Sequence, residues 1–335
     1  MAARVSSLRR PAAPTSRTQL AIALLMLAAL APLPTLGLEI YWQGVVITSL
    51  YYAMLATNWN LLAGYTGLFS LAPAGFAMLG AYVTALLWTY AGVSPLIGIP
   101  SGAIVCAVVG LIIGILTLRL SGPYLALTTL ALAEILRVIA LNSFDITRGE
   151  IGLEVPALFS HQSSYYYMFI VAVGCLLIGL HWLLGKPCGL YLRAIRNDET
   201  GARARGVRTV FWKVFAFTIS SGFCGLAGAL FAHYVIIVSP SIGHLLVTGL
   251  VMSMVVLGGM GTLLGPLVGA LLVNVSSEYL RAAGDYQHIV FPIIVIVFAR
   301  FCREGLVGRI AMMFNARAGV NAARGSRTTE VLASS

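Results

Sequence analysis

KPCGLYLRAIRNDETGARARGVRTVFWK, running from Lys186 to Lys213, is the stretch that decides the fold, because long apolar sequence borders it on both sides. It concentrates Lys186, Arg193, Arg196, Arg203, Arg205, Arg208 and Lys213 in one island. A hydrophobic chain that keeps one long basic segment between apolar runs, and little polar sequence elsewhere, reads as a membrane protein with a built-in docking segment for a cytoplasmic partner. Inside the island, Leu190–Arg196 suggests one or two helical turns. Asp198 is placed as an N-cap for a second short helix, Glu199 complements that helix's positive start, and Gly206 is placed to end it in a left-handed turn. So short an element is marginal alone and gains stability by docking into a groove of another subunit.

Outward from the island, composition sets the class. Of the 335 residues 59% are hydrophobic and 10% charged, and the mean hydropathy is +0.92, far from a soluble domain. The apolar runs are Leu20–Leu38, Val45–Ala63, Leu68–Ala91, Ile97–Leu118, Tyr124–Leu141, Tyr165–Leu184, Val214–Val238, Leu245–Gly259, Leu263–Leu280 and Ile289–Ala299. Most approach the ~20 residues that carry a helix across ~30 Å of hydrocarbon. The expected fold is therefore all-α, a polytopic transmembrane bundle of about eight to ten spans, the lower counts of eight or nine applying because the last run is short and the eighth is Gly-rich and open to a re-entrant reading.

Threaded from an inside start, these spans place every lysine and arginine on the cytoplasmic side except Arg137, Arg148 and Arg281. Glu39, Asp145, Glu150, Glu154, Glu278 and Asp285 gather with those three on the other side. Both termini are then cytoplasmic. The domain plan is a basic tail at 1–18, a transmembrane domain at 19–302 with a cytoplasmic loop at 185–213, and a basic, disordered tail at 303–335. A rival reading takes residues 1–38 as a cleaved secretory signal, with Ala29 and Ala31 spaced like a cleavage site. Pro32 directly after the cut, and the apolar run that soon follows, make a first span the simpler account. The formal charge of +10 follows from this topology and is no footprint for nucleic acid, since the basic residues are dispersed and lack an aromatic stacking platform.

Motifs for chemistry are missing. The five cysteines, at 106, 175, 188, 224 and 302, show no CxxC or Cys/His spacing, so no metal, disulfide or cofactor is implied. The histidines at 161, 181, 233, 244 and 288 sit near span ends, where a solvated or interface-facing imidazole is the simple expectation. Gly185–Lys186 runs into Pro187 rather than completing a P-loop, so ATP is not bound here in that manner. Nor is there a nucleophile elbow, a HExxH pair, or the chain of buried carboxylates that proton-driven carriers use. Glu134 stands well inside a span with Arg137 one helical turn on. The pair is either mutually neutralised near the outer boundary or a polar step on a pathway.

Glycine and proline say what kind of membrane protein this is. They cluster in GYTGLFSLAPAGFAMLG, Gly64–Gly80, and GGMGTLLGPLVG, Gly258–Gly269, each joining several glycines to Pro73 or Pro266. Small residues let backbones approach, and Gly–Pro breaks are tolerated where freed backbone lines a cavity. One such segment in each half resembles a degenerate internal repeat about a central path, against the alternative of tight packing alone.

Five stretches in this order, NLLAGYTG (60–67) continuing to Gly80-Ala-Tyr82, GPYLALTTL (122–130), TRGEIGL (147–153), RAIRNDE (193–199) and LGGMGTLLGP (257–266), resemble the membrane permeases of ATP-binding-cassette importers for branched-chain amino acids, LivM type, over roughly residues 43–308. The resemblance implies half of a translocation path in the bacterial inner membrane. It implies as partners a LivH-like second permease, two cytoplasmic ABC ATPase subunits, a periplasmic substrate-binding protein and the surrounding lipid. Ionic and capping residues Arg193, Arg196, Asp198, Glu199, Arg203 and Gly206 would then couple to the ATPase, while Asn60, Gly67, Ser70, Pro73, Thr128, Glu134, Gly259, Gly265 and Pro266 would line or pack the path. ATP hydrolysis would belong to the separate subunit. Two departures bear on the solute: Leu68 stands where the family usually has glutamine and Pro73 where it has histidine. Gly201 also stands where alanine is common, at about 1 kcal/mol of helix propensity. Relatives of this shape carry urea, short amides or aromatic acids, which stay open beside amino acids. A secondary carrier or channel, which should show an intramembrane charge network, and a non-transporting scaffold, which needs no Gly–Pro breaks, are the rival classes.

Overall fold

The computed structural model describes residues 16–117, 123–281 and 305–308. Its helices are α1 (Ser16–Leu30), α2 (Ile40–Asn60), α3 (Pro73–Ala91), α4 (Pro95–Thr117), α5 (Pro123–Asn142), α6 (Phe144–Thr147), α7 (Gln162–Gly185), α8 (Pro187–Asn197), α9 (Glu199–Ala204), α10 (Thr209–Val235), α11 (Leu245–Gly258) and α12 (Gly265–Arg281). A π-helical turn, Leu61–Thr66, extends α2, and two short strands, β1 (Leu153–Glu154) and β2 (Ile237–Val238), pair antiparallel with Leu153 opposite Val238.

Contacts at the helix ends show that the bundle has two distinct ends. At one, Gln19 accepts a hydrogen bond from Leu263 N at 2.8 Å, and the π turn meets α8. At the other, Tyr166 Oη donates to Leu30 O at 2.8 Å, the Gln162 side chain donates to Ile40 O at 3.0 Å, and β1 pairs with β2. Successive long helices run back and forth between these ends. α8 and α9 lie at the first end, while Asp145, Glu154 and Glu278 lie at the second, in line with the charge segregation of the sequence.

α3, α4, α5, α7 and α10 are long and apolar enough to cross a membrane. α2 is also long, with 21 residues, but it carries Thr48, Ser49 and Thr57. Their hydroxyls donate to the Gly44, Val45 and Ala53 carbonyls one turn back, at 2.9, 2.7 and 2.6 Å. With these three hydroxyls satisfied, α2 sits at the centre of the bundle and packs against α7, α10, α11 and α12, leaving Tyr51 Oη and Asn58 Oδ1 buried without a partner among the described residues. α1 is shorter than the apolar run predicted for it, whereas α11 and α12 follow theirs closely. The first run ends its helix at Leu30 and turns over residues 31–37, where Pro32 and Pro34 stand; the third becomes helical only at Pro73; and α11, at 14 residues, rises about 21 Å. The tenth run lies outside the described residues, as does most of both basic tails. Residues 305–308 form one helical turn with Val307 buried, and a Cβ on Gly305 would come 2.4 Å from the Gly259 Cα.

Very close packing joins α3, α4 and α10. A Cβ on Gly228 would sit 1.9 Å from the Ala77 carbonyl oxygen, one on Gly80 2.1 Å from that of Gly225, and one on Gly102 2.8 Å from that of Gly80. Here backbone rests on backbone, which only glycine allows. The same device closes α11 on α12, where a Cβ on Gly269 would lie 1.9 Å from Met254 O.

Candidate functional site

The basic island folds as two short helices with a cap between them, as its sequence predicts, although the first is longer than expected, spanning Pro187–Asn197. Pro187 occupies its first turn, where the missing N–H is no loss. Gly189 makes the sharp corner with α7 possible, since a Cβ there would be 2.1 Å from Leu184 O. Cys188, Leu192 and Ile195, spaced along one face, are buried against the bundle, and Leu190, Arg193 and Arg196 stay exposed. Asp198 caps α9 by accepting from Gly201 N at 3.0 Å. A Cβ on Gly201 would lie 2.5 Å from the Asp198 Oδ2, so glycine there leaves the cap room. Gly206, at φ +84°, ends α9: its N–H bonds Arg203 O at 3.0 Å and Val207 N bonds Ala202 O at 3.1 Å, the paired bonds of a left-handed helix stop.

Glu199 ties this segment to α10. Its carboxylate accepts from Lys213 Nζ at 2.5 Å and from Arg203 Nη2 at 3.1 Å. Burial works to raise the carboxyl, but the hydrogen bond and charge of Lys213, with Arg203 and Thr209, outweigh it and hold Glu199 below the usual carboxylate range. It is charged at neutral pH.

A second tie reaches the two glycine-rich breaks. Arg196 Nη1 donates to the carbonyl of Gly64 in the π turn and lies against Gly261, where a Cβ would be 2.8 Å away. Asn60 bridges the same breaks: its Oδ1 accepts from Gly261 N at 2.7 Å and its Nδ2 donates to Thr262 O at 2.7 Å. Gly64 leaves space for this bridge, because a Cβ there would strike Asn60 Oδ1 at 2.0 Å. Gly67, at φ +78°, ends the π turn beside Arg196. Beside this junction opens a cavity of about 550 Å³ between the start of α5, the 66–69 turn and α8–α9, with Arg196, Glu199 and Lys213 in its wall.

The predicted residues thus separate into groups. Asn60, Gly67 and Arg196 meet at the junction, and Asp198, Glu199, Arg203 and Gly206 build α9. Arg193 lies over the Tyr65 ring at 5.7 Å. Gly259 (φ +126°), Gly265 and Pro266 form the α11–α12 break, where a Cβ on Gly265 would meet Gly259 O at 2.4 Å. Ser70 and Pro73 stand apart, around a void of about 10 Å³ shared with Ser220 and Cys224. Thr128 donates to Tyr124 O at 2.8 Å on α5, away from the junction. Glu134 and Arg137 pair with each other at 2.5 Å, partly exposed, as the mutually neutralised reading expects. Three participants escaped the sequence reading as individuals. Gly64 and Gly261 were visible only as members of clusters, and Lys213 only as a topological charge. His233 departs from its expectation, being fully buried, with Nδ1 2.9 Å from Pro156 O and Nε2 3.0 Å from Thr84 Oγ1.

A bundle with broken, glycine-packed helices, five of them long and apolar enough to cross a membrane, joined to an ionic helical elbow at one end, is the build of a polytopic membrane protein. Residues 41–299 match the family model for the branched-chain amino acid transport system / permease component, and the chain belongs to this family. It is 31% identical over 293 residues to the high-affinity branched-chain amino acid transport system permease protein LivM of Salmonella typhimurium, covering 78% of this chain and 69% of that one. The LivM protein of Escherichia coli K12 gives 30% identity over the same shares. The probable branched-chain amino acid transport permease protein LivH of Methanocaldococcus jannaschii is 28% identical, with 82% of this chain and 94% of that one covered. No solved structure matches. These relatives are transport permease subunits rather than enzymes, and the chain is a multi-pass membrane permease of their kind.

Proposed function

We propose that this chain is the LivM-type half of an ABC importer in a bacterial inner membrane, passing branched-chain amino acids received from a periplasmic binding protein through a path shared with a LivH-like permease. Two separate ATPase subunits drive it by docking on α8 and α9, which lie on the cytoplasmic side. The observation that carries this reading is the Arg196 junction. One side chain of the docking segment holds both helix breaks, so a displacement of α8 moves the Gly64 and Gly261 backbones together. The charge count supports the sidedness, and the printed names of the relatives support the solute class.

The test is reconstitution of the chain with its partner permease, ATPases and binding protein in proteoliposomes. Leucine, isoleucine or valine should stimulate ATP hydrolysis and be transported, and omission of this chain should abolish both. Stimulation by urea, a short amide or an aromatic acid with none by these amino acids would reassign the solute. Transport without the ATPases would move the protein to the carriers.

A further inference from the structure

We propose that the cavity beside α8–α9 is a regulatory site for a free amino acid with an aliphatic side chain, read from the coupling end of the permease. This rests on the transport reading for its biological sense, though not for its chemistry. The cavity's volume, about 550 Å³, is that of a small-molecule site. Its charged wall offers both signs: Glu199 can accept from an ammonium, while Lys213 and Arg196 can hold a carboxylate. Lys213 is the telling member. Only 5% of it is exposed, and its three-donor ammonium makes one hydrogen bond, to Glu199, among the described residues. A buried cation with spare donors facing a cavity is a waiting anion partner.

Thr66 apart, the remaining wall carries no polar side chain. Leu68 and Leu125 are buried at its floor, and Phe69 and Leu127 stand exposed in it, 43% and 60%. An α-amino acid whose side chain is leucine-like fits both halves, with its charges on the ionic trio and its alkyl group against the leucines and Phe69. A sugar or phosphate would leave the apolar half unmatched, and an apolar molecule without charge would leave the spare donors of Lys213 unused. Occupancy would brace Glu199, Lys213 and Arg196, the three side chains that join the docking segment to α10 and to the breaks. Accumulated product on that side would thereby hold the coupling segment still and slow further import.

Direct binding tests this on the full chain in lipid nanodiscs, with radiolabelled leucine as probe. Saturable binding is expected, competed by isoleucine and valine but not by 4-methylpentanoate or 3-methylbutylamine, which lack the ammonium or the carboxylate. Ala126→Phe or Leu127→Trp, which fill the cavity and leave the three charged residues in place, should weaken binding by about tenfold or more. In the reconstituted importer, leucine on the ATPase side should lower hydrolysis, and the same variants should retain hydrolysis and lose the inhibition. No saturable binding, or undiminished binding and inhibition in both variants, overturns the proposal. Transport of leucine without such binding would sink only this inference, whereas binding without transport of any branched-chain amino acid would sink only the function proposed above.

Discussion

Where α3, α4 and α10 cross, the contact is backbone against backbone; where α8 and α9 join the bundle, the long side chains of Arg196, Glu199 and Lys213 add polar ties to the buried apolar face of α8. The first kind of contact has no adjustable part. A helix seated on a neighbour's carbonyl cannot slide without lifting off it, and the close fit holds the three helices as one post. The second kind can be remade, because a guanidinium or ammonium exchanges one acceptor for another without disturbing a core. A permease needs both properties, and this chain keeps them in different places. The stiff contacts lie along the spans, and the exchangeable ones lie where an outside force would enter.

The largest effect should come from breaking the stiff region. Gly228→Val sets a branched side chain where even a Cβ lies 1.9 Å from Ala77 O, so α10 must part from α3. Overpacking of this kind costs about 3 kcal/mol and should remove most of the folded protein from the membrane, measured as detergent-extractable, monodisperse yield. Gly179→Val is the control, for nothing lies within 4 Å of a Cβ there. Equal yields for the two variants would show that the post is not held by backbone contact.

A smaller structural effect, with a large functional one, should follow at the exchangeable end. Arg196 is exposed, so Arg196→Ala empties no core and should leave folded yield near that of the parent. It deletes the donor to Gly64 and the contact with Gly261, however, and uptake should fall by about tenfold or more, with ATP hydrolysis no longer following solute. Unchanged uptake would reduce the junction to a passive contact and leave the Glu199–Lys213 pair as the remaining link.

The same division explains what the sequence could and could not tell. Asp198, Glu199 and Gly206 were legible because capping and helix termination are settled within about four residues. The five long spans were legible because their length and hydropathy agree. The end of α1 was not, since the turn that follows it, with Leu33 and Leu36, is as apolar as the helix, so hydropathy runs through the break; α11, by contrast, ends within one residue of its apolar run, at the glycine pair Gly258–Gly259. Arg196 was singled out for docking, but its partners were hidden: Gly64 lies 132 positions away, and a donor meeting a glycine carbonyl leaves no residue pattern. His233 was misjudged for a related reason. Its position near a helix end suggested a solvated or interface-facing ring, yet Pro156, in the segment after β1, and Thr84 of α3 meet its two ring nitrogens and it is fully buried.

The last prediction should change transport hardly at all and fixes which region faces which compartment. The α8–α9 end is assigned to the cytoplasm by charge, and the β1–β2 end to the outside, so single cysteines at the two ends report the assignment directly. Thr209, near the start of α10, is unsuitable as a reporter, with only 2% of it exposed. Arg205 and Ser160 are exposed, on the island and on the loop after β1 respectively, and neither donates to the ties described above. In a background with the native cysteines replaced, the exposed Cys175 among them, Ser160→Cys should react with a membrane-impermeant maleimide in intact cells, and Arg205→Cys only after permeabilisation. Losing one of many basic residues on the inner side is too small a change to invert the chain. The opposite labelling pattern would place the ionic elbow outside, out of reach of any ATPase, and the separation of stiff and exchangeable regions would then need another explanation.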